Sequence, residues 1–308
     1  MLISFGQVLE IGKNRLKEAQ LADGDRDAEL LLLELMHENR NFLFLHKNDG
    51  MDESNMEFYF QMIDRRAEGE PLQYITGSQE FMGFPFEVSE AVLIPRQDTE
   101  TVVEFALERA KELKHCSSVL DMCCGSGAIA VSVAKLMPKA DVAACDCSPE
   151  ALAVAERNAA RNGVGNRVKF CLSDLFEVEK RGKRKLLKGR FDMIVCNPPY
   201  IPSHVIDTLQ TEVKDHEPRL ALDGGADGLD FYRRIVRDAW KVMKKNGILV
   251  LEIGHDQADA LRELLSESGN YEDIQIHKDL AGLDRIAFCR RAAAVKEFKK
   301  TVAETDDV

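Results

Sequence analysis

The chain has 308 residues, and 41 Lys and Arg against 53 Asp and Glu leave a formal net charge of −12. That balance excludes a protein whose whole surface grips nucleic acid, because neutralising phosphates takes clustered cations; a local basic patch stays open. Hydrophobic residues make up 45% and charged residues 31%, which supplies a packed core and excludes disorder as the main state. At about 150 residues per domain, the length suggests two domains. Apolar runs such as residues 30–33 and 248–251 fall far short of the roughly 18 residues that a membrane span needs. The start, Met1-Leu2-Ile3-Ser4, carries no cationic lead into an apolar stretch, so no secretory signal is expected. Eight cysteines are too sparse for a disulfide scaffold. Without a Cys-x-x-Cys motif, neither Cys123-Cys124 nor Cys145-x-Cys147 reads as a metal site. Reduced thiols and a cytoplasmic location are the expectation.

Residues 1–70 read as helices. Phe5, Val8, Leu9, Leu16 and Ala19 recur at helical spacing. Residues 25–36 follow a break at Gly24 and carry Leu30 through Leu33 with Leu35 and Met36, a segment too apolar for a surface. A third helix spans 51–66, with Asp52 or Ser54 as its N-cap. Over residues 71–95, aromatic and β-branched residues alternate with Gly77, Gly83 and Pro85, which predicts a hairpin linker.

From Thr99 onward strands and helices alternate. Helix 102–113 precedes strand 118–122, and helix 128–136 is stopped by Pro138. Strand 142–145 leads to a helix capped by Ser148, with Pro149 in its first position and Gly163 at its end. Further strands are expected at 168–172, 191–195 and 247–252, with helix 231–243 before the last. This rhythm implies a doubly wound, mostly parallel sheet covered by helices on both faces, an α/β fold. Two late strands, 272–277 and 285–289, sit too close for a helical crossover and should form an antiparallel hairpin. The expected division is thus helical domain 1–70, linker 71–95, α/β domain 96–290, and a charged, fraying tail 291–308.

Two motifs carry chemistry. In Val119-Leu120-Asp121-Met122-Cys123-Cys124-Gly125-Ser126-Gly127-Ala128, an apolar strand runs through a glycine turn into a helix whose first N–H groups face the crevice. Gly125-x-Gly127-x-x-Ala130, with Asp146 placed 19 residues after Gly127, satisfies the dinucleotide fingerprint. Asp146 at a strand end can accept hydrogen bonds from ribose hydroxyls. The pattern indicates a nucleoside without naming it. The second motif, Asn197-Pro198-Pro199-Tyr200, follows strand 191–195 on the same carboxyl rim. Two prolines make it a rigid loop. It suits a planar NH2 group: the Asn197 side-chain oxygen and Pro198 carbonyl accept its two hydrogens, and Tyr200 packs on the plane.

These motifs together resemble the class I adenosylmethionine-dependent methyltransferases that act on planar amide or amino nitrogens. More of the chain resembles one branch, the peptide chain release factor glutamine methyltransferases. Arg65-Arg66-x-x-Gly69-Glu70-Pro71-Leu72-x-Tyr74-Ile75-x-Gly77 with Glu80-Phe81 is similar to that branch's linker, and Leu93-Ile94-Pro95-Arg96-x-Asp98-Thr99-Glu100 to the beginning of its catalytic domain. Glu217-Pro218-x-x-Ala221-Leu222-x-Gly224-Gly225, Leu251-Glu252-Ile253-Gly254 and Asp27-Ala28-Glu29-Leu30-Leu31 match as well. The resemblance spans residues 5–290 and implies a Rossmann-like fold. It implies transfer of a methyl group from S-adenosyl-L-methionine to the side-chain nitrogen, N5, of the glutamine in the Gly-Gly-Gln loop of release factors.

By position, the resemblance implies that Cys123, Cys124, Gly125, Ser126 and Gly127 wrap the methionine part of the cofactor and Asp146 holds its ribose. Asp174 and Leu175 flank its adenine, and Asn197 touches both cofactor and substrate. Asn197, Pro198 and Tyr200 are the expected catalytic residues, joined by Pro199 in binding substrate; no metal is expected. Residues 1–70 would recognise the substrate protein. A monomer without a membrane or a stable nucleic-acid partner is implied. Two departures stand out: the family commonly has Gly-Thr where this chain has Cys123-Cys124, and some members place an aromatic where Leu175 stands, with Phe176 the adjacent ring.

The competing readings are a DNA adenine-N6 methyltransferase, a glutamine methyltransferase for a ribosomal protein, a nicotinamide oxidoreductase and a non-catalytic nucleoside-binding module. The first should carry a basic target-recognition region, and the oxidoreductase gives residues 197–200 no task. His216 and His255 are assigned to surface or packing positions. Residues 180–190 hold seven cations, at 180, 181, 183, 184, 185, 188 and 190. That run reads as a solvated insertion, the alternative being a dock for an acidic release-factor surface or RNA.

Overall fold

Ser4 starts the first helix, α1 (Phe5–Glu18), with a reciprocal cap: its hydroxyl accepts the Gln7 N–H while the Gln7 side chain accepts the Ser4 N–H. The computed structural model describes residues 3–113, 115–180, 183–187 and 190–294. After α1 come α2 (Gly24–Met36), α3 (Arg40–His46), α4 (Glu53–Ala67) and α5 (Leu72–Thr76). Val8, Leu16, Leu31, Leu32, Tyr59 and Ile63 meet in one core between them. Asp52, rather than Ser54, caps α4 by accepting the Asn55 N–H at 2.9 Å. Helix α3 escapes the periodicity reading because it buries none of its residues; Phe44 and Leu45 on it are 81% and 70% exposed.

The linker forms the expected hairpin, β1 (Ser78–Phe81) against β2 (Phe84–Glu87). Met82 and Gly83 both take positive φ, the geometry that a two-residue hairpin turn requires. Helix α6 (Gln97–Glu112) starts before the expected position 102, because its first turn is polar and acidic, with Asp98 and Glu100, and shows no apolar periodicity.

The remaining elements are β3 (Ser118–Met122), α7 (Ala128–Leu136), β4 (Asp141–Asp146), α8 (Pro149–Arg161) and β5 (Val168–Leu172). They continue with β6 (Glu177–Lys180), β7 (Lys183–Leu186), β8 (Phe191–Cys196), α9 (Ser203–Ile206) and α10 (Thr211–Lys214). The last are α11 (Asp230–Val242), β9 (Met243–Glu252), α12 (Ala258–Ser268), β10 (Tyr271–Lys278) and β11 (Asp284–Arg291). Seven strands form one sheet in the order β10-β11-β9-β8-β3-β4-β5. The five from β9 to β5 are parallel, and β10 and β11 are the expected antiparallel pair, with β11 against β9. Strand β9 starts at Met243 instead of 247: exposed Lys245 and Asn246 conceal an irregular beginning, where the register against β8 shifts. No helix among the described residues is long and apolar enough to cross a membrane.

The chain runs outward through β3, β4 and β5, then returns to β8 on the opposite side of β3. That reversal makes the carboxyl ends of β3 and β8 the switch point, where open α/β sheets hold ligands. The basic run is not a plain loop: part of it forms β7, paired antiparallel with β6. Arg181, Gly182, Lys188, Gly189, and residues 295–308 of the expected tail, lie outside the described residues, as do the side chains of Lys180, Lys183 and Arg184.

A buried charge cluster joins the helical layer to the segment between β8 and α11. Arg66 of α4 is 4% exposed. Its Nε donates to Asp27 at 2.8 Å, and its terminal nitrogens to Glu212 of α10 at 2.6 Å and to the Glu70 carbonyl at 3.1 Å. Gly69, at φ +94, lies so close that a Cβ would come within 2.7 Å of Thr211, so glycine is required for this approach. Removing one member of such a cluster strands a buried charge. Arg66→Leu is therefore expected to lower unfolding free energy by about 3 kcal/mol, measured by urea titration. Adding Asp27→Leu should recover much of that loss, whereas equal stability of the single and double variants would contradict the stranded-charge account.

Candidate active site

Strand β3 delivers a turn in which Cys123, Gly125 and Gly127 all have positive φ, at +60, +52 and +77. The left-handed region costs a non-glycine residue about 1–2 kcal/mol, so Cys123 is held there by its surroundings. The turn spends three of its donors internally. Cys124 N–H goes to the Cys145 carbonyl at 3.0 Å, Gly125 N–H to Asp146 Oδ2 at 2.9 Å, and Gly127 N–H to the Cys124 carbonyl at 2.7 Å. In α7, the Ala130 N–H goes to Asp121 at 2.9 Å. A pyrophosphate would find none of these four groups available. The two glycines serve different neighbours. A Cβ on Gly125 would meet nothing within 4 Å, whereas one on Gly127 would press at 3.0 Å on Ala155 of α8.

Over this turn lies a cleft of about 1040 Å³ counted to its open mouth. Cys123, Cys124, Gly125, Ser126 and Asp146 line one wall, Asp174 and Leu175 another, and Asn197 and Pro199 a third. Gly127, Pro198 and Tyr200 are not among the lining residues: Gly127 backs the turn against α8, and Pro198 is buried. Asp146 is clamped by two backbone groups, Gly125 N–H on Oδ2 and Ser148 N–H on Oδ1 at 3.0 Å. Each oxygen keeps capacity for a further donor. Asp174 instead accepts from Arg234 at 2.6 Å, so its charge is already answered.

Leu175 is buried at φ +51, its carbonyl accepting the Ser173 hydroxyl at 2.8 Å. Phe176 does not substitute for an aromatic here, because it is 1% exposed in the core below the sheet's rim. The ring on the cleft wall belongs to Phe231, at the start of α11, a residue that sequence proximity could not bring to notice. Pro95, Arg96 and Thr99 close one side, and Pro218, Leu220 and Ala221 the rim, with Arg96 donating to the buried Glu217. His216 sits at the domain joint beside Gly69, and His255 is exposed.

Asn197 is fixed from behind. Its Nδ2 lies 3.2 Å from Thr99 Oγ1, and that hydroxyl donates to Glu252 Oε2 at 2.7 Å. Tyr200 packs beneath the loop, its hydroxyl 3.3 Å from Glu252 Oε1, while Tyr232 donates to the Glu252 carbonyl at 2.7 Å. The Tyr200 carbonyl accepts from Gln257 at 2.9 Å, anchoring the far end of the loop. Glu252 is 2% exposed. Burial pushes its carboxyl up to about 7, against the downward pull of the Thr99 hydrogen bond, the Arg285 charge and the Tyr200 hydrogen bond. Burial likewise raises the Tyr200 phenol. Thr99 and Glu252 stood in motifs quoted from the sequence, but nothing in their spacing announced that they meet behind Asn197.

Comparison with known proteins places this cleft in a family. Residues 7–77 match the model of the PrmC N-terminal domain, and residues 113–302 match that of a methyltransferase domain. The release factor glutamine methyltransferase of Geobacter sulfurreducens is 41% identical over 280 residues, covering 91% of this chain and 94% of that protein. The enzyme of the same name from Moorella thermoacetica is 48% identical over 229 residues, covering 74% and 77%. The crystal structure of a methyltransferase from Pyrococcus furiosus shares the fold, with a TM-score of 0.50 at 18% identity, covering 74% of this chain and 98% of that one. The chain belongs to the release factor glutamine methyltransferase family.

Proposed function

We propose that this chain transfers a methyl group from S-adenosylmethionine to the side-chain amide nitrogen of the glutamine in the Gly-Gly-Gln loop of peptide chain release factors. The observation that carries this reading is a single cleft bearing both a clamped carboxylate, Asp146, and a rigidly backed amide, Asn197. The donor set fits the cofactor. Asp146 offers acceptors for a ribose diol, Gly125 leaves open space, and Leu175 and Phe231 offer apolar surfaces for a base. Asp146 pairs with no cation among the described residues, and a net-positive ligand gains from that charge. Cys123 through Ser126 form the wall for the methionine part, and Gly127 holds that wall against α8.

When bound, the cofactor supplies an electrophilic methyl group on a sulfonium. The protein's task is orientation, because an amide nitrogen has its lone pair delocalised into the carbonyl. Asn197 Oδ1 accepts an amide hydrogen and turns the nitrogen lone pair toward the cleft interior, while buried Pro198, expected to offer its carbonyl as well, keeps the loop rigid from outside the lining. That hydrogen bond strengthens as positive charge develops on nitrogen, which favours the transition state over the ground state. Pro199, Pro218, Leu220 and Ala221 shield the site from water. Tyr200 anchors the loop through Glu252. Glycines beside the target glutamine let its loop enter between these walls.

In this reading residues 1–70 recognise the release factor, supported by the exposure of Phe44, Leu45 and Phe58 on the helical layer. The enzyme acts as a monomer in the cytoplasm, and its net charge of −12 disfavours stable nucleic-acid binding.

Asp146→Ala is expected to weaken cofactor binding by about 2–4 kcal/mol in calorimetry, and Asp146→Asn, which keeps one acceptor, by less. Saturating cofactor should shield Cys123 and Cys147 from alkylation, since both line the cleft and neither is fully buried; equal labelling with and without cofactor would place the ligand elsewhere. Asn197→Ala should lower kcat by about 10²-fold or more while cofactor affinity changes less. Labelled methyl transfer would be followed with release factor, free glutamine and adenine-containing duplex DNA. Transfer to DNA and not to release factor would replace the glutamine reading with the adenine one.

A further inference from the structure

We infer that Glu252 is a positioning residue: through Thr99 it fixes which edge of the Asn197 amide faces the substrate, and so makes the site selective for an NH2 donor. The inference rests on the proposed glutamine methylation and concerns how that same site tells a nitrogen from an oxygen.

The argument is one of hydrogen-bond polarity. An ionised carboxylate only accepts, and a threonine hydroxyl has one hydrogen to give. At 2.7 Å from Glu252 Oε2, Thr99 spends that hydrogen on the carboxylate. Its oxygen can then only accept from Asn197, so the amide atom at 3.2 Å must be Nδ2. The carbonyl edge, Oδ1, is thereby turned away from Thr99, on a residue that lines the cleft. The orientation follows from the chain of donors and does not depend on telling nitrogen from oxygen by position. The Tyr200 hydroxyl gives its hydrogen to the other carboxylate oxygen, so one buried anion directs both ends of the Asn197–Tyr200 loop.

Protonation reverses the chain. A neutral Glu252 can donate to Thr99, Thr99 can donate to Asn197, and the amide then turns its own NH2 toward the substrate NH2, donor facing donor. The groups facing Glu252 are Thr99 and Asp98 on α6, Tyr200 after β8, Tyr232 on α11 and Arg285 on β11. Arg285 is itself shared with Asp98 at 3.1 Å and Asp279 at 3.2 Å, which leaves only part of its charge to hold Glu252 ionised. With burial opposing ionisation and the carboxyl at about 7, the polarity of the chain changes within an accessible range of pH.

The test is the pH dependence of kcat on release factor for wild type, Glu252→Gln, Thr99→Val and Thr99→Ser, with cofactor affinity and thermal midpoint measured on each. In wild type, kcat should rise with pH through about 7, as the carboxylate forms and Asn197 Oδ1 is presented. Glu252→Gln can donate as well as accept, so kcat should fall about 30-fold or more and lose that pH limb, with cofactor affinity within about threefold of wild type. Thr99→Val should lose both rate and limb, and Thr99→Ser, which keeps the hydroxyl, should retain both. The threonine pair decides the matter if Glu252→Gln does not fold. Wild-type kcat and an unaltered pH limb in Glu252→Gln or in Thr99→Val would overturn the inference. Absence of transfer to release factor by the wild type would instead strike the proposed function, so the two failures are distinguishable.

Discussion

Met122 of β3 stands directly opposite Cys196 of β8, in parallel register, and the site depends on that pairing. The residue after each partner begins a loop of the cleft: Cys123 starts the glycine turn and Asn197 starts the proline loop. Because parallel strands end on the same side, both loops emerge on one rim, a strand spacing of about 4.8 Å apart. The next strand over, β4, ends with Asp146, whose carboxylate ties the glycine turn to its own strand end. A slip of one residue would send every one of these side chains to the opposite face. Full burial of Leu120, Ile194, Val195 and Leu249 on the central strands makes such a slip costly, so core packing holds the chemistry in place.

Buried ionic groups occur where the fold must be specific as well as stable. Arg66 with Asp27, and Glu252 with Thr99, lie out of water, and part-buried Glu212 and Tyr200 complete their hydrogen bonds. Apolar residues of similar volume could fill these places at no loss of stability. What they could not do is impose direction. The arginine cluster sets how the helical layer meets the segment around α10, and the glutamate sets which way a loop points its polar atoms.

Much of this was legible in advance because it is written in local patterns. Strand β3, helix α7, and the Ser148 cap with Pro149 behind it are short-range signals, and the structure has them as read. Asp146 and the loop at Asn197 followed from the rule that ligands gather at carboxyl ends. What escaped notice is physical in kind. Helix α3 has no buried stripe, so periodicity has nothing to detect. The adjacent Phe176 offered itself as the ring beside Leu175, but its position sends it into the core and Phe231 arrives from another helix. Thr99 and Glu252 meet across α6 and β9, elements far apart in the chain, and a hydrogen bond between them leaves no periodic trace.

Cys123 and Leu175 share a property with a consequence for affinity. Both line the cleft, and both hold left-handed backbone with a side chain attached. A glycine at either place would reach that conformation without strain but would also wander among many others in the free protein. A side chain narrows the unbound ensemble, and the energetic penalty of the strained backbone falls on folding rather than on association. At these two places the backbone therefore has less conformational freedom left to lose when the cleft is filled than glycines would have.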